Sequence, residues 1–120
     1  MTAFIVFAHG SRLEAANEAV RAISGKFAAA GDHIVETAYL ELGKPDLPGA
    51  VENLIARGAD RIIVIPYFLT LGRHVEHDLP GIVESILRHH PGINVEVTAP
   101  LDGHAALLDI LLDRARGALA

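Results

Sequence analysis

Cysteine and tryptophan are both absent from this chain of 120 residues. Without thiols the protein has no disulfides, thiolate metal sites, iron–sulfur clusters or cysteine nucleophiles. Any metal must therefore be held by imidazole, carboxylate or backbone oxygen, a ligand set that suits a labile divalent first-row ion. Because 51% of the residues are hydrophobic, the chain can bury a core without disulfides, and we expect one domain spanning residues 1–120.

An excess of basic residues and long apolar runs are also missing. The net charge of −5 argues against a nucleic-acid partner, which requires a basic surface to neutralise phosphates. No apolar run approaches the roughly 20 residues of a membrane-spanning helix, and the N-terminus does not resemble a signal peptide. No glycine-rich phosphate loop is present, which argues against a nucleotide cofactor. We therefore expect a cytoplasmic protein that binds neither membranes nor nucleotides.

Strand-like and helix-like segments alternate four times along the chain. The strand-like segments are Phe4–Ala8, Val35–Leu40, Ile62–Phe68 and Ile93–Thr98. This alternation predicts an α/β fold, a four-stranded parallel sheet in the order 2-1-3-4 with helices on both faces. The third segment is almost purely apolar, which indicates a central strand covered on both sides.

Short local signals predict the first two helices. Ser11 and Glu14 have the spacing of a capping box, and Gly31 marks the end of the first helix. Its apolar residues recur at the three-four spacing of a buried face: Leu13, Ala16, Val20, Ile23 and Phe27. Asp46 is the expected N-cap of a second helix that ends near Arg57.

The last two helices are predicted from proline and leucine positions. A polar loop from Thr70 to Asp78 is expected to precede a third helix that Pro80 opens. Four leucines are expected to form the buried stripe of the last helix, namely Leu107, Leu108, Leu111 and Leu112.

Potential metal ligands follow three of the predicted strands. His9 and Glu41 come directly after the first and second strands, and His74 and His77 follow the third. Because the carboxyl ends of parallel strands form one edge of the sheet, these groups can converge there. His9 also precedes a helix, whose positive N-terminus favours the neutral imidazole that binds a metal or accepts a proton. Each residue also has an interpretation without function. His9 is then a structural histidine bonded to a nearby carbonyl, Glu41 is only solvated, and His74 and His77 are incidental histidines in a loop.

For several other residues near this edge, the sequence allows two different roles. Arg12, Lys44 and Arg73 either pair with an acidic ligand or are ordinary surface charges. His104 is either a residue at the start of the last helix or a second metal ligand. Ser11 is accounted for by its predicted capping bond.

Three motifs together resemble one known family. Ala8–Arg12, at the end of the first strand, is similar to the opening of the small CbiX-type sirohydrochlorin chelatases. Two further groups of motifs agree with the same family in order and spacing: Tyr39–Leu42 with Pro45, and Pro66–Leu69 with Gly72–Val75 and Asp78–Pro80.

This resemblance implies an ATP-independent chelatase that inserts Co²⁺, Fe²⁺ or Ni²⁺ into sirohydrochlorin, for the synthesis of cobalamin, sirohaem or a related tetrapyrrole. The essential histidines of the family correspond to His9 and His74, and its acidic partner to Glu41. The match does not extend to His77, whose role rests on its nearness in sequence. Longer relatives fuse two such halves, so the resemblance implies a homodimer for this chain.

The substrate of such an enzyme carries many carboxylates, and Ser11, Arg12 and Arg73 are the expected residues that bind them. A carrier that holds the metal or the tetrapyrrole without turnover would use the same cleft, so the sequence leaves this alternative open. A phosphotransfer enzyme with His9 as nucleophile is disfavoured, because Ala8 stands where an arginine would bind the phosphate. A structural subunit of a larger assembly leaves the histidines unexplained.

Overall fold

The computed structural model of the protein describes residues 1–120 as one four-stranded sheet and four helices. In chain order these are β1 (Thr2–Ala8), α1 (Glu14–Gly31), β2 (Val35–Tyr39), α2 (Leu47–Ala56), β3 (Arg61–Pro66), α3 (Arg73–His89), β4 (Asn94–Val97) and α4 (Ala106–Leu119). All strand pairs are parallel and the order is β2-β1-β3-β4, which confirms the predicted α/β fold and strand order. No helix is both long enough and apolar enough to span a membrane.

The core lies between the sheet and the two helices α2 and α3. Alternate residues of β1, such as Ile5 and Phe7, are fully buried there together with Val64 of β3. The intervening residue Phe4 lies on the other face of the sheet, where its ring packs edge-on against Phe27 of α1 at 5.5 Å. Helix α1 therefore covers the opposite face from α2 and α3, over β1 and β2.

The buried face of α1 differs from the predicted apolar stripe. Leu13 and Ile23 are 66% and 39% exposed, whereas the polar residues Asn17 and Ser24 are buried. Ser24 satisfies its hydroxyl by donating to the Val20 carbonyl and accepting from the Thr37 hydroxyl, at 2.9 and 2.8 Å. Hydrophobic periodicity missed these positions because a buried polar group is tolerated once it is hydrogen-bonded.

The predicted capping box of Ser11 and Glu14 is wrong. Helix α1 begins at Glu14, and the Ser11 hydroxyl accepts a hydrogen bond from the Leu13 N–H at 3.0 Å, which closes a turn ahead of the helix. Glu14 does not reach back to Ser11 but pairs with Arg21, two turns further along. This guanidinium lowers the pKa of the Glu14 carboxyl below its usual value. At α2, in contrast, Asp46 is confirmed as the N-cap, accepting from the Gly49 N–H at 2.9 Å.

The predicted loop before α3 is also wrong, because the helix begins at Arg73 and Pro80 lies inside it. Pro80 removes one backbone donor from the helix. Packing offsets this loss, since Val75 and Leu79, four residues apart, are only 6% and 5% exposed. The charged residues of the first turns face solvent, so this segment resembles a loop in sequence. The helix is stabilised there by the packing of Val75 and Leu79.

Helix α4 does not bury the leucine stripe that its sequence predicts. Leu108 and Leu111 are 62% and 67% exposed, and no residue of α4 is buried. The molecule measures 54 × 33 × 28 Å, and its radius of gyration of 15.4 Å exceeds the roughly 14 Å expected for a compact chain of this length. Helix α4 has no extensive contact with any strand or other helix of its own chain.

Tyr39 provides a test of the packing between α1 and β2. It is fully buried, and its hydroxyl donates to the Asn17 carbonyl at 2.7 Å and accepts from Arg21 at 3.2 Å. Burial raises the pKa of Tyr39 above its usual value of about 10. Its stabilising contribution is therefore complete below about pH 10 and declines as the pH rises further, because the unfolded state ionises first.

We expect the free energy of unfolding in urea to fall as the pH rises above about 10. Tyr39→Phe should weaken this fall, and Tyr67→Phe, which alters an exposed tyrosine, should retain it. Equal pH dependence in the two variants would contradict this assignment.

Candidate metal-binding site at the carboxyl edge of the sheet

His9 and Glu41 lie side by side because β1 and β2 are parallel neighbours. Their pairing continues past the strand ends, where the Leu40 N–H donates to Ala8 at 2.9 Å and the Glu41 N–H donates to His9 at 3.1 Å. The imidazole Nε2 of His9 is 3.6 Å from Oε1 of Glu41, and both side chains are more than half exposed. The structure thus brings together two residues that the sequence predicted separately for this edge.

A close approach of two loops makes this pairing possible at Gly10. The residue has a φ of +91°, and a Cβ added to it would lie 1.7 Å from the carbonyl oxygen of Glu41. No side chain fits in that space without displacing backbone. Glycine at position 10 therefore keeps the segment after His9 in contact with the segment that carries Glu41.

Asn17 joins the same two loops through its buried carboxamide. Its Oδ1 accepts from the Ser11 N–H, and its Nδ2 donates to the carbonyls of Ser11 and Leu42, each at 2.9 Å. The Leu42 backbone has a φ of +58°, which a leucine rarely adopts, so the bond from Asn17 holds an unfavourable conformation. Hydrophobic periodicity does not single out Asn17, although a polar residue at the spacing of the buried stripe was the available signal.

The hydrogen bond of His9 determines which ring nitrogen is free. Nδ1 lies 3.0 Å from the Gly10 carbonyl oxygen, which can only accept, so Nδ1 carries the proton of a neutral ring. The lone pair of Nε2 is then available on the side of Glu41. Since nitrogen and oxygen ligands lie about 2.1 Å from an ion such as Zn²⁺, an ion of that size can bridge a 3.6 Å separation. Phe68 contacts His9 edge-on, with ring centroids 6.5 Å apart.

His74 and His77 lie in the first two turns of α3. Nε2 of His74 is 3.1 Å from Oδ2 of Asp78, one helical turn away, and Nδ1 of His77 is 3.2 Å from the other oxygen. The two rings are 84% and 89% exposed. Asp78 was missed as a partner because the segment was expected to be a loop, in which the spacing of four has no meaning.

The single chain does not join these two groups into one cluster. Asp78 is the carboxylate within 4.0 Å of His74, and His9 is paired with Glu41. No group of three or more histidine, aspartate or glutamate side chains has the geometry to hold one ion. The convergence of His9 with His74 therefore remains a prediction for the assembled protein.

Positive groups lie next to both histidine positions. Arg12 and Arg73 are exposed, and neither has a carboxylate within 4.0 Å. Helices α1 and α3 begin beside them without a side-chain cap, so their first N–H groups stay free to bind an anion. His104 instead accepts from the Ala106 N–H at 3.0 Å, the first of its two predicted roles.

Large apolar side chains stand exposed after the same three strands. Leu13 and Leu42 are 66% and 48% exposed, and Tyr67 and Leu69 are 41% and 64% exposed. Such an apolar border next to polar metal ligands is typical of a site for a large, partly apolar ligand. Motifs and helical periodicity do not reveal this property, because neither shows how far a side chain is exposed in the folded chain.

The structure is thus that of a small α/β protein with an imidazole–carboxylate pair at the carboxyl edge of an open parallel sheet. Residues 3–118 match the CbiX protein family. Since this match covers nearly the whole chain, the protein belongs to the CbiX family. The resemblance stated from its three motifs is thereby confirmed.

Three relatives illustrate the extent of the similarity. The chloroplastic sirohydrochlorin ferrochelatase of Arabidopsis thaliana is 36% identical over 120 residues, covering 97% of this chain and 52% of that protein. The sirohydrochlorin cobaltochelatase of Methanothermobacter thermautotrophicus is 28% identical, covering 96% of this chain and 91% of that protein. The structure of a cobalamin biosynthesis CbiX protein from Marinobacter aquaeolei VT8 matches with a TM-score of 0.87 at 25% identity, over 99% of this chain and 98% of that one.

These comparisons establish homology to enzymes that bear the name sirohydrochlorin chelatase. The chain spans about half the length of the Arabidopsis relative and nearly the full length of the other two. The fold observed here is therefore one that also occurs as a chain of this size.

The Asn17 bridge can be tested by removing the carboxamide. Asn17→Ala leaves the carbonyls of Ser11 and Leu42 and the Ser11 N–H without partners, so we expect the free energy of unfolding to fall by about 1–3 kcal/mol. It should also weaken Co²⁺ binding, because His9 and Glu41 lose their fixed separation. The measurements are urea unfolding and calorimetric titration with Co²⁺.

Asn53→Ala is the matched control, because Asn53 is exposed and makes one 3.2 Å bond to Glu36. It should change stability by less than about 0.5 kcal/mol. If Asn17→Ala were as mild as this control, the bridge would have no structural importance.

Proposed function

We propose that this protein is a sirohydrochlorin chelatase that inserts Co²⁺ or Fe²⁺ into the macrocycle without a nucleotide. The observation that carries this proposal is the pair of His9 and Glu41, whose ligand atoms lie 3.6 Å apart at the edge of the sheet. Homology to ferrochelatases and cobaltochelatases of the same substrate supports it. Ni²⁺ is a further candidate metal, and the product would serve the synthesis of cobalamin, sirohaem or a related tetrapyrrole.

Metal capture begins at Nε2 of His9 and the carboxylate of Glu41. Both groups are exposed, so a hydrated ion reaches them directly and exchanges two waters for the two ligands. Because a pair occupies only two positions of the ion, nitrogen atoms of the macrocycle can replace the remaining waters one at a time. Imidazole and carboxylate then dissociate as the chelating ring takes over the ion.

The same two residues are suited to take up the protons that metal insertion releases. Two N–H protons leave the macrocycle when the dication enters. Transfer of the metal frees the Nε2 lone pair of His9 and the carboxylate of Glu41, and each can accept one proton within hydrogen-bond reach. Release of both protons to water restores the starting state of the site. Charge and protons balance over the cycle.

The surroundings of the pair match a flat macrocycle with acidic arms. The exposed side chains of Leu13, Leu42, Tyr67 and Leu69 offer apolar contacts to the ring. Arg12, Arg73 and the hydroxyl of Ser11, together with the uncapped starts of α1 and α3, offer donors to its carboxylates. This local positive potential offsets the net charge of −5 of the whole chain.

A single copy presents these groups on one open edge, so we propose a homodimer in which two edges face each other across the macrocycle. Residues 1–120 then act as one chelatase domain, and His74 with Asp78 supplies a second pair of ligands for the incoming ion. The cytoplasmic location expected from the sequence stays a prediction, and the Arabidopsis relative is named as chloroplastic.

Replacement of His9 tests the central assignment. His9→Ala should lower the rate of Co²⁺ insertion into sirohydrochlorin by on the order of 100-fold or more, because one ligand and one proton acceptor are lost together. The absorption spectrum of the macrocycle follows the reaction with Co²⁺, Fe²⁺ and Ni²⁺ in parallel. His89→Ala, which alters an exposed histidine at the opposite end of α3, should leave the rate unchanged.

Normal turnover by a folded His9→Ala protein would exclude the proposed site. If the wild-type protein binds sirohydrochlorin and Co²⁺ but completes no more than one turnover, the protein is a carrier and the chelatase proposal fails.

The role of His74 is separable from that of His9. His74→Ala should abolish multiple turnover while leaving Co²⁺ binding at His9 and Glu41 measurable by titration, since the two groups do not touch within one chain. His77→Ala is the control, because His77 contacts the same Asp78 but lies outside the family match. Equal activities of the two variants would remove His74 from the mechanism.

A further inference from the structure

The C-terminal end of α3 borders a second hollow that contains possible metal ligands. This hollow has a volume of about 180 Å³ between α2 and α3, and its lining residues are Pro48, Glu52, Ser85, Ile86, His89 and His90. Nε2 of His90 lies 4.0 Å from Oε1 of Glu52. We propose that Glu52 and His90 bind a divalent first-row metal ion here, at a site separate from the pair of His9 and Glu41.

The new site lies at the edge of the sheet opposite to the candidate site. Helix α3 begins at Arg73, near the carboxyl ends of the strands, and runs for 17 residues to His89. Its length is about 25 Å, since each helical residue adds about 1.5 Å. Strand β4 begins at Asn94, shortly after this end of the helix. An ion between Glu52 and His90 is therefore too far from the carboxyl edge to be passed to a macrocycle there.

The backbone holds both ligands in place. The His90 N–H donates to the Ile86 carbonyl at 3.0 Å, and the His90 carbonyl accepts from the Ile93 N–H at 3.2 Å. Ile86 is only 3% exposed, so this end of α3 is packed into the core. Glu52 follows the fully buried Val51 on α2. The two ligands thus lie on two helices that pack against each other on one face of the sheet.

The ligand atoms of this pair are free to bind an ion. Their separation of 4.0 Å is too long for a hydrogen bond, and neither side chain has a second ion-pair partner. The side chain of His90 is 26% exposed, compared with 53% for His9 and 84% for His74. An ion at His90 is therefore more enclosed than an ion at either histidine of the carboxyl edge.

A small movement of Glu52 brings the two ligand atoms to the separation that an ion requires. Nitrogen and oxygen ligands lie about 2.1 Å from Zn²⁺, so tetrahedral angles place them about 3.4 Å apart. The Glu52 side chain is 67% exposed, and a shift of its carboxylate by about 0.6 Å closes the difference. Water molecules in the hollow then complete the coordination of the ion.

His89 adds a further imidazole to the lining of the hollow. Its Nδ1 lies 2.7 Å from the Ser85 carbonyl oxygen, which can only accept, so Nδ1 carries the proton of a neutral ring. A carbonyl that fixes the ring and leaves Nε2 free is a common feature of metal-bound histidines, and His9 shows it with Gly10. Glu52 and His90 remain the two ligands, because no three such side chains have the geometry of one site.

The ligand types determine which ions bind and what binding does. An imidazole with a carboxylate favours Co²⁺, Ni²⁺ and Zn²⁺, whereas Mg²⁺ prefers oxygen ligands alone. Because Glu52 and His90 lie on different helices, an ion between them joins α2 to α3 and is bound by the folded chain only. Such an ion stabilises the folded state by mass action.

A variant without the histidines of the carboxyl edge isolates the new site. His9→Ala with His74→Ala should still bind Zn²⁺ in a calorimetric titration, and Zn²⁺ should raise its midpoint of unfolding in urea. Addition of His90→Ala should weaken Zn²⁺ binding at least 10-fold and remove this rise. Glu52→Gln, which keeps the shape of the side chain, should have the same effect, and excess Mg²⁺ should not compete.

Glu84→Gln is the matched control, because it removes an exposed carboxylate from the same helix, and it should leave Zn²⁺ binding unchanged. Absence of Zn²⁺ binding by the double variant, or binding that survives both His90→Ala and Glu52→Gln, would overturn the proposal. Co²⁺ in place of Zn²⁺ should shift and broaden the amide resonances of Val51 and Ile86. Broadening confined to residues around Asp78 would place the ion elsewhere and would also overturn it.

Turnover distinguishes this site from the proposed chelatase site. His90→Ala alone should insert Co²⁺ into sirohydrochlorin at the wild-type rate, because the ion at α2 and α3 is not the one inserted. Loss of turnover in a folded His90→Ala protein would show that the two sites are not separate. A wild-type protein without turnover that still binds Zn²⁺ through Glu52 and His90 would support this site and refute only the chelatase proposal.

Discussion

The contact between the loops after β1 and β2 is the constraint on which the candidate site depends. Gly10 allows the two backbones to touch, and the carboxamide of Asn17 donates to a carbonyl in each loop. As a result, the backbone positions of His9 and Glu41 are fixed by the contact of the loops and by buried hydrogen bonds, although both side chains are exposed. If the two side chains bind an ion as proposed, their backbone needs little reorganisation when the ion arrives.

At the same edge of the sheet, a fixed backbone carries apolar side chains that are exposed to solvent. The strand ends, the loops and Asn17 fix the backbone at His9 and Glu41, whereas the leucines and Tyr67 around them remain open to solvent. A chelatase requires this combination, because the ion must be held in a defined place while a large macrocycle enters and leaves. Helix α4 is also open to solvent, since none of its residues is buried within one chain.

Local sequence predicted the fold well where a pattern and its cause lie in the same segment. Alternating apolar strands gave the strand order, and Asp46 was recognised as an N-cap because the bond it accepts comes from Gly49, three residues away. The prediction failed for Ser11 with Glu14, because Arg21 competes for the carboxylate. It failed again at the start of α3, where the helix depends on burial of Val75 and Leu79 against the sheet.

By itself the sequence determined the parallel α/β fold, the family and the placement of His9, Glu41 and His74 after the strands, because these follow from hydrophobic spacing and from residue types at strand ends. Only the tertiary structure decided that His9 pairs with Glu41 and that His74 pairs with Asp78. It also decided that α4 stands apart from its own sheet. These outcomes depend on bonds between residues far apart in the chain, such as Asn17 with Leu42, whose distance in space is fixed only when the whole sheet has formed.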